Sequence, residues 1–308
     1  MRIVSLLPAA SEIVAGLGMA GQLVGISHEC DYPPEVAGKP RVTRCLIDIA
    51  GMPSEEIDRR VAEIIKANGT LYALDEPLLR NLAPDVILTQ QLCDVCAVGY
   101  GSVTQLAATL PGPPRVLNLE PSSLTEVFGN IRTVADAIGV PGAGEHLIAA
   151  LEQRLAVVRS RVSAATHRPR CFLMEWIDPP YSAGHWNPEL VEIAGGVEPF
   201  GSRGGHSMRL DWKRVLEEQP EVVVLSCCGY GIERTLQDLP ILKGYSGWSD
   251  LHAVRMGRVY AIDGNAYFTR HGPRLVEAME MLAGILHPEL FAEFVPDRWP
   301  ETQVLRVT

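Results

Sequence analysis

No stretch of this chain approaches the roughly 18 consecutive apolar residues that a membrane-spanning helix needs, which excludes insertion into a bilayer by a helix. Lysine and arginine never form a run, and the net charge is -10. That balance argues against nucleic acid or an anionic membrane surface as a partner and favours a small or medium-sized ligand. A Walker loop, a GxGxxG after the first strand, an HExxH and an EF-hand loop are all missing, so the usual phosphate, dinucleotide, zinc-protease and calcium signatures are excluded. Tryptophan is missing from the first half altogether: all five lie at or beyond position 176. The seven cysteines are odd in number and irregularly spaced, unlike a disulfide framework and more at home in a reducing compartment. The start, Met1-Arg2-Ile3-Val4-Ser5-Leu6-Leu7-Pro8, has an apolar run too short for a signal peptide. A cytoplasmic location is therefore expected, with a periplasmic or extracellular one if a leader has been removed.

What is present is ordinary globular material: 308 residues, 47% hydrophobic and 21% charged, enough for two cores of about 130 to 150 residues each. Short apolar runs at 2–7, 23–27, 70–74, 85–89 and 115–119 alternate with amphipathic stretches, which predicts a mostly parallel sheet flanked by helices. Leu82-Ala83-Pro84-Asp85-Val86-Ile87 and Glu218-Gln219-Pro220-Glu221-Val222-Val223 are alike, each a helix end, a proline, an acidic residue and a strand. The second half thus repeats the architecture of the first, with strands at 171–176, 221–225 and 258–262 and a closing helix over 273–286. Between the halves Leu147, Ile148, Leu151, Leu155, Val158 and Val162 recur at helical spacing, predicting one helix of about 20 residues. The expected organisation is an N-terminal α/β lobe over 1–140, a connecting helix over 141–166, a C-terminal α/β lobe over 167–290 and an irregular tail over 291–308.

Three polar segments follow apolar runs: Ser27-His28-Glu29-Cys30-Asp31-Tyr32, Cys93-Asp94-Val95-Cys96 and Ser226-Cys227-Cys228-Gly229-Tyr230. In open α/β sheets ligands bind beyond the carboxyl ends of strands, so these segments, with Gln91, mark a pocket. Cys93 and Cys96 are spaced to share a metal or form a redox pair, although a lone CxxC supplies only two of the four ligands of a structural zinc site. The bland alternative is two cysteines in a loop beside a pocket. Cys227 gives a third sulfur, which leaves open a metal- or thiol-dependent protein built on a Cys93, Cys96 and Cys227 cluster. His28 with Glu29 and Cys30 offers an imidazole, a carboxylate and a thiol, yet nothing nearby resembles a nucleophile elbow. In the second half Tyr181, His185 and Trp186 lie in one loop, His206 in a Gly-rich loop, and Asn265 and Tyr267 after a strand. Trp176 and Trp186 bracket a loop whose aromatic faces suit a planar macrocycle. His146 and His287 read as surface residues.

Taken in order, these residues resemble the helical-backbone class of ABC-transporter substrate-binding proteins, and within it the vitamin B12-binding proteins. The resemblance is carried by Ile3-Val4-Ser5-Leu6-Leu7-Pro8-Ala9-Ala10-Ser11-Glu12, by Val24-Gly25-Ile26-Ser27 leading to Asp31-Tyr32-Pro33, by Leu82-Ala83-Pro84-Asp85-Val86-Ile87, by Asp178-Pro179-Pro180-Tyr181 and by Glu192-Ile193-Ala194-Gly195-Gly196-Val197. It implies a class III periplasmic-binding-protein-like fold: two α/β lobes with mostly parallel sheets joined by a long backbone helix, with the ligand held in the cleft between them. The implied cofactor is cobalamin or a related corrinoid, with a metal ion as the other candidate, and the implied role is binding and not enzymatic catalysis. The family docks on its permease through a glutamate in each lobe. The corresponding segments here, 99–104 and 267–271, contain no carboxylate, which speaks against docking and for a cytosolic carrier or sensor. An ordinary importer component for haem, siderophore or B12 is the other reading.

Overall fold

The computed structural model describes residues 1–49, 51–91 and 100–307. The chain forms two compact units, the first made of Met1–Met52, Glu56–Pro121 and Thr125–Ala150, the second of Pro53–Glu55, Ser122–Leu124 and Leu151–Thr308.

In the first unit β1 (Ile3–Ser5), β2 (Leu23–Ile26), β3 (Thr43–Cys45), β4 (Tyr72–Leu74), β5 (Val86–Thr89) and β6 (Arg115–Asn118) form two sheets. A parallel sheet has the order β2-β1-β5-β6, and β3 pairs antiparallel with β4 in a separate ribbon. The run at 70–74 is therefore a strand as expected, but of the ribbon. Every residue of β1 and β5 is buried, as for parallel strands covered on both faces. Val4, Leu6, Val42, Leu79, Ile87 and Val103 share one core on this sheet.

The second unit carries β7 (Cys171–Trp176), β8 (Tyr181–Ser182), β9 (Met208–Arg209), β10 (Val222–Leu225), β11 (Val259–Ile262) and β12 (Val304–Arg306) in the order β12-β11-β10-β7-β8-β9. Only β7, β10 and β11 are parallel; both edges are antiparallel. The tail expected to be irregular closes one edge, with Val304, Leu305 and Arg306 opposite Ile262, Ala261 and Tyr260. Burial of Val304 explains the docking of so short a strand. His287, read as a surface residue, is also buried, its Nε2 3.1 Å from the carbonyl oxygen of Gly195.

The repeated helix–proline–acid–strand signal has one structural meaning in both units. Helices Glu76–Leu82 and Trp212–Glu218 each end on a residue in the left-handed region, Ala83 (φ 37°) and Gln219 (φ 46°), and the following proline prevents continuation. The acidic residue then receives a backbone amide of the neighbouring strand's entry: Arg2 N donates to Asp85 Oδ2 at 2.7 Å, and Arg170 N to Glu221 Oε2 at 2.9 Å. Each carboxylate thus sets the register of two central strands at their amino ends, which leaves the carboxyl ends to the loops.

The helix Pro141–Val162 buries Ile148, Leu151, Leu155, Val158 and Val162, the stripe expected from the spacing. In the second unit its Arg154 meets Glu280 of helix Leu275–Leu286 side on, Nε to Oε1 at 2.8 Å and Nη2 to Oε2 at 2.7 Å. Glu280 is buried, whereas Arg154 is partly in solvent. Arg154→Ala strands the buried carboxylate and is expected to lower stability by about 2 kcal/mol, below the full cost of breaking a buried pair because of that exposure. Urea denaturation checks this, and the double variant Arg154→Leu/Glu280→Leu should recover most of the loss.

Candidate functional site

In the first unit the segment after β2 is organised by Thr43 of β3. His28 N donates to Thr43 Oγ1 at 2.9 Å and His28 Nδ1 shares a 2.7 Å hydrogen bond with the same oxygen. The His28 ring lies 5.1 Å from that of Tyr72, whose hydroxyl donates to Glu29 Oε1 at 3.1 Å. Burial, followed by the nearby Arg41 guanidinium, pushes the His28 pKa down, so the imidazole is neutral at physiological pH and its 4.0 Å approach to Glu29 is no ion pair. Cys30 takes no part in a surface: it is 0% exposed, its sulfur 3.1 Å from Ser11 Oγ and 3.4 Å from Ser27 Oγ. Its expected place among ligand contacts is corrected to that of a core thiol. Gln91 is exposed at the end of β5, and Cys93 and Cys96 lie outside the described residues.

In the second unit two clusters occupy the carboxyl ends of the strands. One joins β7, β10 and β11. The Tyr230 ring lies 4.8 Å from that of Trp176, the Arg234 guanidinium sits 4.3 Å over its centre, and Asn265 N donates to the Tyr230 carbonyl at 3.1 Å. Gly264 allows this junction, because a Cβ there would fall 2.1 Å from the carbonyl oxygen of Cys227. Cys227 is 1% exposed, and burial pushes its thiol pKa far up. Its sulfur therefore lies in the core and not on an open face. Cys228 beside it is partly exposed. Tyr267 is buried under the Arg274 guanidinium, and Tyr181 belongs to β8 opposite Arg209.

The other cluster gathers His185, Trp186, His206 and His271. The His185 ring is 5.3 Å from that of His206 and 5.5 Å from that of Trp186, which is in turn 5.5 Å from His271. Trp186 is buried, with its Nε1 donating to the Phe268 carbonyl at 3.0 Å, so the indole is a wall between two imidazoles and not a free platform. Two residues missed in the sequence hold the cluster, Glu175 and Ser207. Glu175 at the end of β7 accepts from Ser207 Oγ at 2.8 Å and from the Gly184 amide, bonding to a neighbour of each of His206 and His185. A carboxylate one residue from the end of an apolar strand carries no sequence signal for such a role. Among the described residues no group of three or more His, Cys, Asp or Glu side chains is placed to hold a metal ion.

Residues 3–266 match the family model described as periplasmic binding protein, and the chain belongs to this family. It is 22% identical over 95% of its length to an uncharacterized ABC transporter substrate-binding lipoprotein of Bacillus subtilis, covering 82% of that protein. It is also 22% identical to a vitamin B12-binding protein of Vibrio cholerae, covering 92% of this chain and 88% of that one. Among solved structures the apo periplasmic heme-binding protein RhuT of Roseiflexus has a TM-score of 0.69 at 23% identity, over 94% of this chain and 98% of its own. The two-lobe α/β architecture expected from the sequence is that of these proteins. The expected cytoplasmic location and absence of permease docking gain no support from them: one is described as an ABC transporter lipoprotein, another as periplasmic. In the described residues no helix is long and apolar enough to cross a membrane.

Proposed function

We propose that this protein is the substrate-binding component of an ABC importer and that its ligand is a corrinoid, cobalamin or a close relative. The observation that carries the reading is the full-length similarity to proteins named as vitamin B12-binding, extending over 92% of the chain. The strand-end loops of the second unit suit a large planar ligand, with the partly exposed Trp176 as an aromatic face backed by the buried Tyr230. In this reading the protein is exported and delivers its ligand to a permease. Taken unit by unit, the residues we assign to ligand contact are His28, Glu29 and Gln91 in the first, and Tyr181, His206 and Asn265 in the second, where the buried Trp186, Tyr230 and Tyr267 stand behind them as supporting walls.

Calorimetry with cyanocobalamin is expected to show one site per chain. Trp176→Ala should weaken binding by about 10-fold, the order of one aromatic contact. Haem is the second reading, favoured by the resemblance in fold to heme-binding proteins. Haemin binding without cobalamin binding would establish it, and the absence of both would overturn the importer reading for tetrapyrrole-like ligands.

A further inference from the structure

Tyr230, Arg234 and Asp238 stand four residues apart. That spacing puts the last two on one face of helix Ile232–Gly244 and brings Tyr230, just before the helix, to the same side. In the folded chain the three side chains form a closed network with Ser54, which belongs to the same unit. Arg234 Nη1 lies 2.9 Å from Asp238 Oδ1, and Arg234 Nη2 donates to the Tyr230 hydroxyl at 3.2 Å. Ser54 Oγ donates to Asp238 Oδ2, and the Tyr230 hydroxyl in turn bonds to Ser54. Asp238, Ser54 and Tyr230 are all buried. A buried ion pair adds little net stability, because desolvation of the charges offsets their attraction. What the closed network supplies is geometry, since moving any one member leaves a buried polar group unpaired. Tyr230 passes that geometry on. The Arg234 guanidinium lies 4.3 Å over the centre of its ring, and the ring lies 4.8 Å from that of Trp176 at 46°. Trp176 is partly exposed at the end of β7, and its Nε1 donates to the Asp178 carbonyl at 3.1 Å. That bond fixes the edge of the indole, and the Tyr230 ring behind it fixes the tilt.

We propose that Asp238 is a positioning residue for ligand binding: through Arg234 and Tyr230 it holds the Trp176 indole in its binding orientation before the ligand arrives. The proposal rests on the assignment of Trp176 as an aromatic face for the ligand. Asp238 itself is closed off from solvent and touches no ligand. An indole already held in place has little rotamer freedom left to lose on binding, so its contact contributes nearly in full. Arg234 suits the intermediate position because its planar guanidinium stacks on an aromatic ring while its two ends reach different acceptors.

The test is a double-mutant cycle on Asp238→Asn and Trp176→Ala, read by calorimetry with cyanocobalamin and in parallel with haemin. Asp238→Asn keeps the size of the side chain and removes the charge that holds the guanidinium. Alone it should weaken binding about 5-fold, the order of one stacked contact. In the Trp176→Ala background it should have no further effect, whereas a role that does not pass through Trp176 leaves the two effects multiplying. Arg234→Lys should act like Asp238→Asn, because an ammonium keeps the charge but not the planar stacking. A second readout needs no ligand. Near-ultraviolet circular dichroism of the free protein, minus the spectrum of its Trp176→Phe counterpart, isolates the Trp176 band. Asp238→Asn and Arg234→Lys should both melt cooperatively and both weaken that band; if Asp238→Asn does not fold, Arg234→Lys carries both readouts. An unchanged Trp176 band, or effects that multiply in the cycle, would overturn the proposal. Failure of both ligands to bind sinks the ligand reading alone, and the Trp176 band then decides by itself whether Asp238 holds the indole.

Discussion

Gly184→Ala is expected to destabilise the protein by about 3 kcal/mol, the upper end of the usual cost of overpacking. The added methyl would meet Ser207 N at 2.3 Å, the His206 carbonyl carbon at 2.6 Å and the Gly205 carbonyl oxygen at 2.7 Å. All three are backbone atoms, so no side-chain rotamer relieves the clash; loop 203–207 has to move as a body. That movement breaks the hydrogen bonds between His185 and residues 204 and 205 and draws Ser207 away from Glu175. The same substitution is therefore expected to cost both stability and the His185–His206 geometry. Guanidinium denaturation reads the first, and calorimetry with cyanocobalamin, for which His206 is a proposed contact, reads the second. A stability change below about 0.5 kcal/mol, the range of ordinary surface substitutions, would show that the two loops are not locked.

Acidification is the second strong prediction. His271 is 2% exposed, and burial, followed by the nearby charge of His185, pushes its pKa down to about 4. In the unfolded chain a histidine titrates near 6.5. Between the two values the unfolded state binds the proton and the folded state does not, so the His271 contribution to stability rises with pH across this window and falls as pH drops from about 6.5 to about 4. Below the folded value the loss is complete, up to about 3 kcal/mol at 1.36 kcal/mol per unit. The measurement is the urea midpoint of the ligand-free protein at closely spaced pH values. His271→Phe should remove this contribution and lower the slope relative to the parent between pH 4 and 6.5, and an unchanged slope would remove His271 as a source of it.

The fold was legible in the sequence where local chemistry repeats. The pairs Pro84-Asp85 and Pro220-Glu221 mark helix ends followed by buried strands, and both carboxylates turn out to hold a neighbouring strand by its first amide. The apolar stripe from Ile148 to Val162 read directly as a helix, because a period of three to four residues matches the helical turn and not the two-residue period of a strand. Short edge strands were not legible. Thr43–Cys45, Met208–Arg209 and Val304–Arg306 are two or three residues long, too short to show a period, and exist only because a partner strand offers them hydrogen bonds.

The candidate site divides in the same way. The residue types at the strand ends, His28, His185, His206, Trp176 and Tyr230, were visible in the sequence because polar and aromatic side chains directly after buried strands are out of place in a core. Which of them face outward was not. Cys30 and Cys227 sit in segments as polar as their neighbours, yet both sulfurs are turned inward, an outcome set by packing that small polarizable side chains accept readily. His271 and Trp186 are held in contact by the fold across 85 positions of chain. The sequence by itself determined the family, the two α/β halves and the long helix, since these follow from periodicity and turn chemistry within short windows. Only the tertiary structure decided which histidines meet, which thiols are buried and which glutamate stands behind them, because those contacts join residues far apart in the chain and depend on the space that the strands leave at their carboxyl ends.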